Sequence, residues 1–166
     1  MVTGNIALGV FFEDGMFAAM AAIGFSTISH TPPRTYIICA IAAAAGHSLR
    51  FLLMMPGFMD LGIIWASIVA AFVVGLVAVV MAPLVKVPAE ACLFPALLPM
   101  IPGMYAYRTV GALMACLTFD SEAVFMHNLY LLTFNGLTCV SIVIGMVMGA
   151  NIPVFMLRKI SFQATR

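Results

Sequence analysis

Apolar residues form long, nearly unbroken runs along this chain, and short polar or proline-containing segments separate them. A run of about 20 apolar residues is long enough to cross the hydrocarbon core of a bilayer as a helix. The runs that reach this length have the approximate bounds 5–29, 36–55, 61–82, 91–117 and 123–150. Helix breakers such as Pro32-Pro33 and Pro56-Gly57 lie between them. The pattern predicts an all-α, polytopic membrane helical bundle with about five spans.

The fourth run contains two prolines and a glycine near its middle. Pro99, Pro102 and Gly103 stand where an uninterrupted span would need regular helix. Proline removes a backbone N–H group and clashes with the preceding turn, and unpaired backbone groups are costly in lipid. We therefore predict a helix break between Pro99 and Gly103, with a second half-helix that begins at the break. Secondary transporters build substrate sites from such broken helices.

The composition indicates that most of the chain lies in lipid rather than in water. Of its 166 residues, 64% are hydrophobic and 8% are charged, and the formal net charge is +1. No polar stretch is long enough for a separate soluble domain, so we predict a single transmembrane domain over residues 1–166. The absence of a basic run argues against a nucleic-acid partner. No Lys or Arg precedes Arg34, which favours a genuine first span over a cleavable signal peptide.

Positive charges alternate between the connections, and cytoplasmic loops of membrane proteins are enriched in Lys and Arg. Arg34 follows the first run and Lys86 follows the third. The carboxyl end carries Arg158, Lys159 and Arg166, whereas the two remaining connections carry only Asp60, Asp120 and Glu122. This alternation predicts an amino terminus outside the cell and a carboxyl terminus inside.

Side chains that usually carry enzyme chemistry are scattered along the chain. The cysteines, Cys39, Cys92, Cys116 and Cys139, lie in apolar runs without CxxC spacing, and the histidines are His30, His47 and His127. No histidine pair has the spacing of a helical zinc motif, and the sequence contains neither a Gly-rich phosphate loop nor a nucleophile elbow. We therefore predict no enzyme activity, no metal site and no cofactor.

Three ionisable side chains are predicted close to the outer boundary of the membrane. If the first span effectively ends near Val10 on the outer side, a rise of 1.5 Å per residue places Glu13 and Asp14 roughly 5 Å below this boundary and Arg50 roughly 7 Å below it. Intramembrane charges normally find partners, so we predict an ion pair of Asp14 (or Glu13) with Arg50, with either a structural or a coupling role. His47 lies one helical turn before Arg50 and shares its face.

A deeper polar layer is predicted on the order of 12 Å below the outer surface. It contains Arg108, His47 and Asn135, and the half-helix that begins at Gly103 adds a positive helix end. Arginine binds a carboxylate through two N–H groups and keeps its charge. We therefore predict a carboxylate site at Arg108, with Tyr107 either packing or contributing its hydroxyl. The alternatives for Arg108 are snorkelling and an ion pair with a partner chain.

Small residues form faces on several runs, including Gly145 and Gly149, which are four residues apart. Such faces allow helices to approach closely. They serve either packing within this chain or contact with another subunit. An odd number of spans without an internal inverted repeat favours a partner or self-association.

Two segments resemble the threonine/serine exporter family, and in particular its short, separately encoded membrane subunit. They are 99–108 (PMIPGMYAYR) and 46–50 (GHSLR), and Pro33-Arg34 and Asp14 add to the resemblance. The resemblance implies export of small carboxylate-bearing metabolites, namely threonine and serine or a dicarboxylate such as succinate, across the bacterial cytoplasmic (inner) membrane. It also implies a hetero-complex with a longer subunit that carries a cytoplasmic domain; a homo-oligomer remains open. The alternative function is a non-transporting scaffold subunit.

Overall fold

The computed structural model describes residues 2–118 and 121–157, and all its regular structure there is helical. Asp120 and the cations Arg158, Lys159 and Arg166, on which the predicted orientation partly depends, lie outside these residues. The helices are α1 (Val2–Ile28), α2 (Tyr36–Met54), α3 (Ile63–Met81), α4 (Ala89–Leu97), α5 (Gly103–Thr118) and α6 (Glu122–Met156). Four segments are long and apolar enough to cross a membrane, and α4 with α5 adds a fifth if the pair forms one broken span. The predicted membrane fold is confirmed.

The break in the fourth span has a direct backbone cause. α4 ends at Leu97, a short 3-10 turn covers Leu98–Met100, and α5 begins at Gly103. Pro102 has no N–H group to donate to an earlier carbonyl, and the Gly103 N–H donates to the Ile101 oxygen at 2.8 Å instead of continuing the helix. The carbonyl groups just before Pro102 are therefore left for other donors. The predicted interruption between Pro99 and Gly103 is confirmed.

The helices divide into two compact units. The first contains α1 to α4 and the part of α6 that begins at Gly145, and the second contains α5 and α6 up to Ile144. In the first unit, α1 packs along α2, and α2 also contacts α3 and α4. The core between them consists mostly of small residues, including Ala42, Ala43, Ala66, Ala70 and Ala71. Small side chains allow close backbone approach, which places the polar side chains of α1 and α2 near the end of α4.

The small-residue face at the carboxyl end of α6 is occupied within the chain. A Cβ atom added to Gly145 would meet the side chain of Ile68 at 2.6 Å, and one added to Gly149 would meet the Ile68 carbonyl oxygen. Gly75 of α3 lies equally close to Ala150 of α6. Of the two interpretations of this face, the structure therefore supports packing within the chain.

The second unit is a helical hairpin. The Thr109 side chain lies 3.4 Å from where a Cβ atom on Gly136 would stand, and the Cys116 sulfur lies 3.8 Å from the Phe125 carbonyl oxygen. These pairs place α5 antiparallel to the first part of α6. With 35 residues, α6 is roughly 52 Å long and exceeds a hydrocarbon core of about 30 Å, so it tilts or extends beyond the core.

Candidate functional site

Asp14 of α1 and His47 of α2 are bonded partners, although 33 residues separate them in sequence. Nδ1 of His47 lies 2.8 Å from Oδ2 of Asp14, and the side chains are 13% and 34% exposed, respectively. A carboxylate has only acceptors, so Nδ1 carries the hydrogen and donates it to Asp14. This arrangement differs from the predicted ion pair of Asp14 with Arg50, because the imidazole stands between the two charges.

Arg50 extends from α2 to the end of the 3-10 turn that follows α4. Its Nη1 donates to the Met100 carbonyl oxygen at 2.9 Å, and its Nη2 lies 3.2 Å from Nε2 of His47. The same Nε2 atom lies 3.1 Å from the Pro99 carbonyl oxygen. A cation is favourable at the carbonyl end of a helix, where the last carbonyls have no intrahelical donor. Two side chains of α2 thus cover the free carbonyls at the break. We call Asp14, His47 and Arg50 the α2 clamp.

Glu13 does not belong to the α2 clamp. Its side chain is exposed, and the ion pair found among the described residues joins His47 to Asp14. Neighbouring helical residues point about 100° apart, so Glu13 and Asp14 cannot face α2 equally. Of the two carboxylates considered as partners for α2, the structure selects Asp14.

A cavity of about 430 Å³ lies beside the α2 clamp. It is lined by Asp14, Arg50, Phe51, Met54, Met55 and Pro56. An acidic and a basic side chain therefore share one partly apolar cavity, and solvent or a small solute that enters it can reach both groups.

The second unit contains a larger cavity, which we call the Arg108 cavity. Its volume is about 650 Å³, within the range of small-molecule sites. Its polar lining consists of Tyr107, Arg108, Asn128, Tyr130 and Asn135, and apolar residues of α5 and α6 complete the wall. No acidic side chain among the described residues lies within ion-pair distance of Arg108. Its guanidinium is therefore available to an anion that enters the cavity.

The two asparagines leave donors available in the Arg108 cavity. Asn128 donates one amide hydrogen to the Val124 carbonyl at 2.8 Å, and Asn135 donates one to the Leu131 carbonyl at 2.7 Å. An amide NH₂ group has two hydrogens, so each side chain keeps one for another acceptor. Arg108 and these two side chains therefore present N–H donors to the cavity at different heights along α5 and α6.

The predicted substrate residues do not all lie in one place. Tyr107, Arg108 and Asn135 line the Arg108 cavity, whereas His47 belongs to the α2 clamp in the other unit. Gly103 is the first residue of α5 and is not among the residues that line the cavity. Whether these residues bind substrate stays a prediction.

Sequence reasoning missed Asn128 and Tyr130 as lining residues. A signal for Asn128 was present, because it precedes Asn135 by seven residues and two helical turns place both on one face. Tyr130 gave no comparable signal, because an aromatic pair four residues apart on a helix is typical of ordinary packing. In the structure its ring does stack on Phe134, with ring centroids 6.0 Å apart.

Comparison with known proteins identifies the family. The family described as Threonine/Serine exporter, ThrE, matches residues 14–156, which include the α2 clamp and the Arg108 cavity. An uncharacterized protein of Haemophilus influenzae (strain ATCC 51907 / DSM 11121 / KW20 / Rd) is 34% identical over 113 residues, which cover 68% of this chain and 37% of that protein. No solved structure matches the chain. As its segments 46–50 and 99–108 predicted, this multi-pass membrane chain belongs to the threonine/serine exporter family.

Proposed function

We propose that this chain is the membrane subunit of a bacterial exporter of small carboxylate-bearing metabolites, either threonine and serine or a dicarboxylate such as succinate. Membership of an exporter family supports the transport activity. The observation that carries the carboxylate specificity is the guanidinium of Arg108, which lines a cavity of about 650 Å³ without an acidic partner among the described residues. An unpaired intramembrane cation that faces a cavity is a functional-site hypothesis by default.

The Arg108 cavity supports this class of substrate through its chemistry. Arg108 offers a planar pair of N–H donors that matches a carboxylate, and Asn128 and Asn135 add neutral donors. Apolar residues on the remaining wall suit the short carbon skeleton of a small metabolite. No acidic residue of segments 2–118 and 121–157 lines the cavity, so the ammonium group of an amino acid would rely on hydroxyl and amide oxygens there.

The proposal includes an assembly and an orientation. A longer subunit with a cytoplasmic domain completes the transporter in the cytoplasmic membrane, because two halves of opposite orientation form the type of site that other transporters use. The alternation of Arg34 and Lys86 with acidic connections supports an amino terminus outside and a carboxyl terminus inside.

Flux through proteoliposomes tests this function. The chain is reconstituted alone and with a longer family member that carries a cytoplasmic domain, and efflux of radiolabelled threonine, serine and succinate is measured in parallel. We expect Arg108→Lys to lower the flux about tenfold, because it keeps the charge but loses the planar fork, and Arg108→Ala to lower it about 100-fold.

Arg34→Lys is the matched control, because Arg34 is exposed in the short turn between α1 and α2. Size-exclusion chromatography confirms that each variant still forms the complex. Undiminished flux in Arg108→Ala would overturn the assignment of Arg108. A complex that moves none of the three solutes would favour the scaffold function.

A further inference from the structure

Nε2 of His47 faces two groups with opposite requirements. Arg50 Nη2, at 3.2 Å, can only donate a hydrogen bond, and the Pro99 carbonyl oxygen, at 3.1 Å, can only accept one. Nε2 needs a lone pair to bond Arg50 and a hydrogen to bond Pro99. One protonation state of His47 cannot satisfy both neighbours.

The hydrogen bond of the other ring nitrogen, Nδ1, fixes the tautomer of the neutral imidazole. Asp14 accepts a hydrogen from Nδ1 at 2.8 Å, so the neutral imidazole is the tautomer with a bare Nε2. In that form Nε2 accepts from Arg50. When the ring takes a second proton, Nε2 becomes a donor, the bond to Arg50 is lost, and the Pro99 carbonyl accepts the new hydrogen. Each form has one favourable and one unfavourable neighbour.

The surroundings of His47 contain few other groups that change charge. Asp14 on α1 and Arg50 on α2 are the charged groups bonded to it. α3 and the part of α6 from Gly145 to Met156 contain no titratable residue. On α4, Glu90 and Cys92 lie nine and seven residues before Pro99, and neither makes a side-chain hydrogen bond to His47. The alternation at Nε2 is therefore governed by the proton on His47.

The geometry points to His47 as a protonation-dependent latch on the break in the fourth span. The neutral ring accepts a hydrogen bond from Arg50, and the doubly protonated ring donates one to the Pro99 carbonyl, so one proton decides whether His47 bonds Arg50 or the backbone at the break. In the proposed exporter, on which this role rests, His47 is a positioning residue that links proton binding to the conformation of the broken span. Discontinuous helices are the elements that move or bind solutes in many transporters.

Nitrogen-15 NMR of the full chain in lipid nanodiscs tests the protonation step without transport. Histidine is labelled with ¹⁵N, the His47 signals are assigned by their loss in His47→Gln, and spectra are recorded over roughly pH 5 to 8, where histidine changes charge. We expect a protonated Nδ1 and a bare Nε2 at high pH, and two protonated nitrogens at low pH. A bare Nδ1 at high pH, or no change over this range, would overturn the latch.

Hydrogen exchange of the same samples tests the link to the break. The amide hydrogen-exchange rates of residues 101–106, corrected for the intrinsic effect of pH, should differ about fivefold between the two forms of His47. A factor of this size is expected when one hydrogen bond is gained or lost. The change should vanish in His47→Gln and persist in His127→Gln, which removes an exposed histidine of the second unit. An equal change in wild type and His47→Gln would refute the link.

Flux measurements separate this inference from the proposed function. The pH profile of efflux should flatten in His47→Gln and remain in His127→Gln. An unchanged pH profile in His47→Gln would overturn the coupling role. If NMR and exchange behave as expected while no variant transports any solute, the latch stands and the exporter function fails.

Discussion

Gly149 of α6 lies directly against the backbone carbonyl of Ile68 in α3. A side chain at position 149 would overlap this carbonyl and the neighbouring backbone of α3, neither of which can move without disturbing a helix. The absence of a Cβ atom therefore sets the distance between α3 and the carboxyl end of α6.

Gly149→Ala should lower the stability of the chain by about 2 kcal/mol, because the new methyl group forces two packed helices apart. Thermal unfolding in detergent measures the effect. Gly24→Ala on α1 is the matched control, since no atom lies within 4 Å of a Cβ at that position. The control should be neutral or gain up to about 1 kcal/mol from helix propensity. Equal melting temperatures for the two variants would contradict close packing at Gly149.

Asp14→Asn should reduce flux about tenfold, whereas Glu13→Gln should leave it unchanged. Asp14 accepts the bond that orients His47, and loss of its charge weakens a charge-assisted hydrogen bond. Glu13 is adjacent in sequence but exposed, so it controls for the general effect of removing a carboxylate near this boundary. Flux is measured in proteoliposomes under a fixed pH gradient. A larger loss of flux in Glu13→Gln than in Asp14→Asn would show that Glu13, and not Asp14, is the functional carboxylate.

The sequence predicts the break in the fourth span because its cause is local. Pro102 lacks a donor in every possible packing, and Pro99 and Gly103 stand beside it, so the local residue types favour an interruption there. The isolated Pro95 and Pro153, by contrast, lie inside α4 and α6.

The structure gives Asp14 a bonded partner other than the predicted Arg50, namely His47, because that partner depends on packing rather than on local residue types. Depth and charge sign favoured Arg50, but the Met100 carbonyl accepts a hydrogen bond from that guanidinium, and His47 bonds Asp14. Which carbonyl faces α2 depends on helix packing, which the sequence pattern does not reveal.

In the Arg108 cavity, too, local features were predictable from the sequence and features that depend on helix packing were not. Arg108 and Asn135 were predicted at similar depth from the rise of a helix, and both line one cavity. Depth alone does not give the rotation of α5 relative to the first part of α6, so Gly103 was included. Asn128 was missed because it lies about two helical turns from Asn135 and therefore outside the predicted layer. The relative rotation of these two helices is set by contacts such as the one between Thr109 and Gly136.

Asn128→Ala should lower the apparent affinity for the transported carboxylate about fivefold, because it removes one neutral hydrogen-bond donor from the Arg108 cavity. Asn151→Ala is the matched control. Asn151 also lies on α6 and also donates to the carbonyl four residues earlier, at 2.7 Å, but it does not line this cavity. The concentration dependence of flux distinguishes the two variants. If both variants shift the half-saturating concentration equally, Asn128 does not contact the substrate.

Two buried serines provide a paired test of how hydroxyl groups are accommodated in this core. Ser26 and Ser67 are both fully buried, but Ser26 donates to the Ala22 carbonyl at 2.7 Å, whereas the Ser67 hydroxyl has no partner among the described residues. A buried polar group without a partner costs free energy, and its removal relieves that cost. Ser67→Ala should therefore raise the free energy of unfolding by about 1 kcal/mol, while Ser26→Ala should lower it by about 1 kcal/mol. The same substitution at equal burial makes thermal unfolding in detergent a direct comparison. A destabilised Ser67→Ala would show that its hydroxyl bonds a group, such as a buried water, that holds α3 in place.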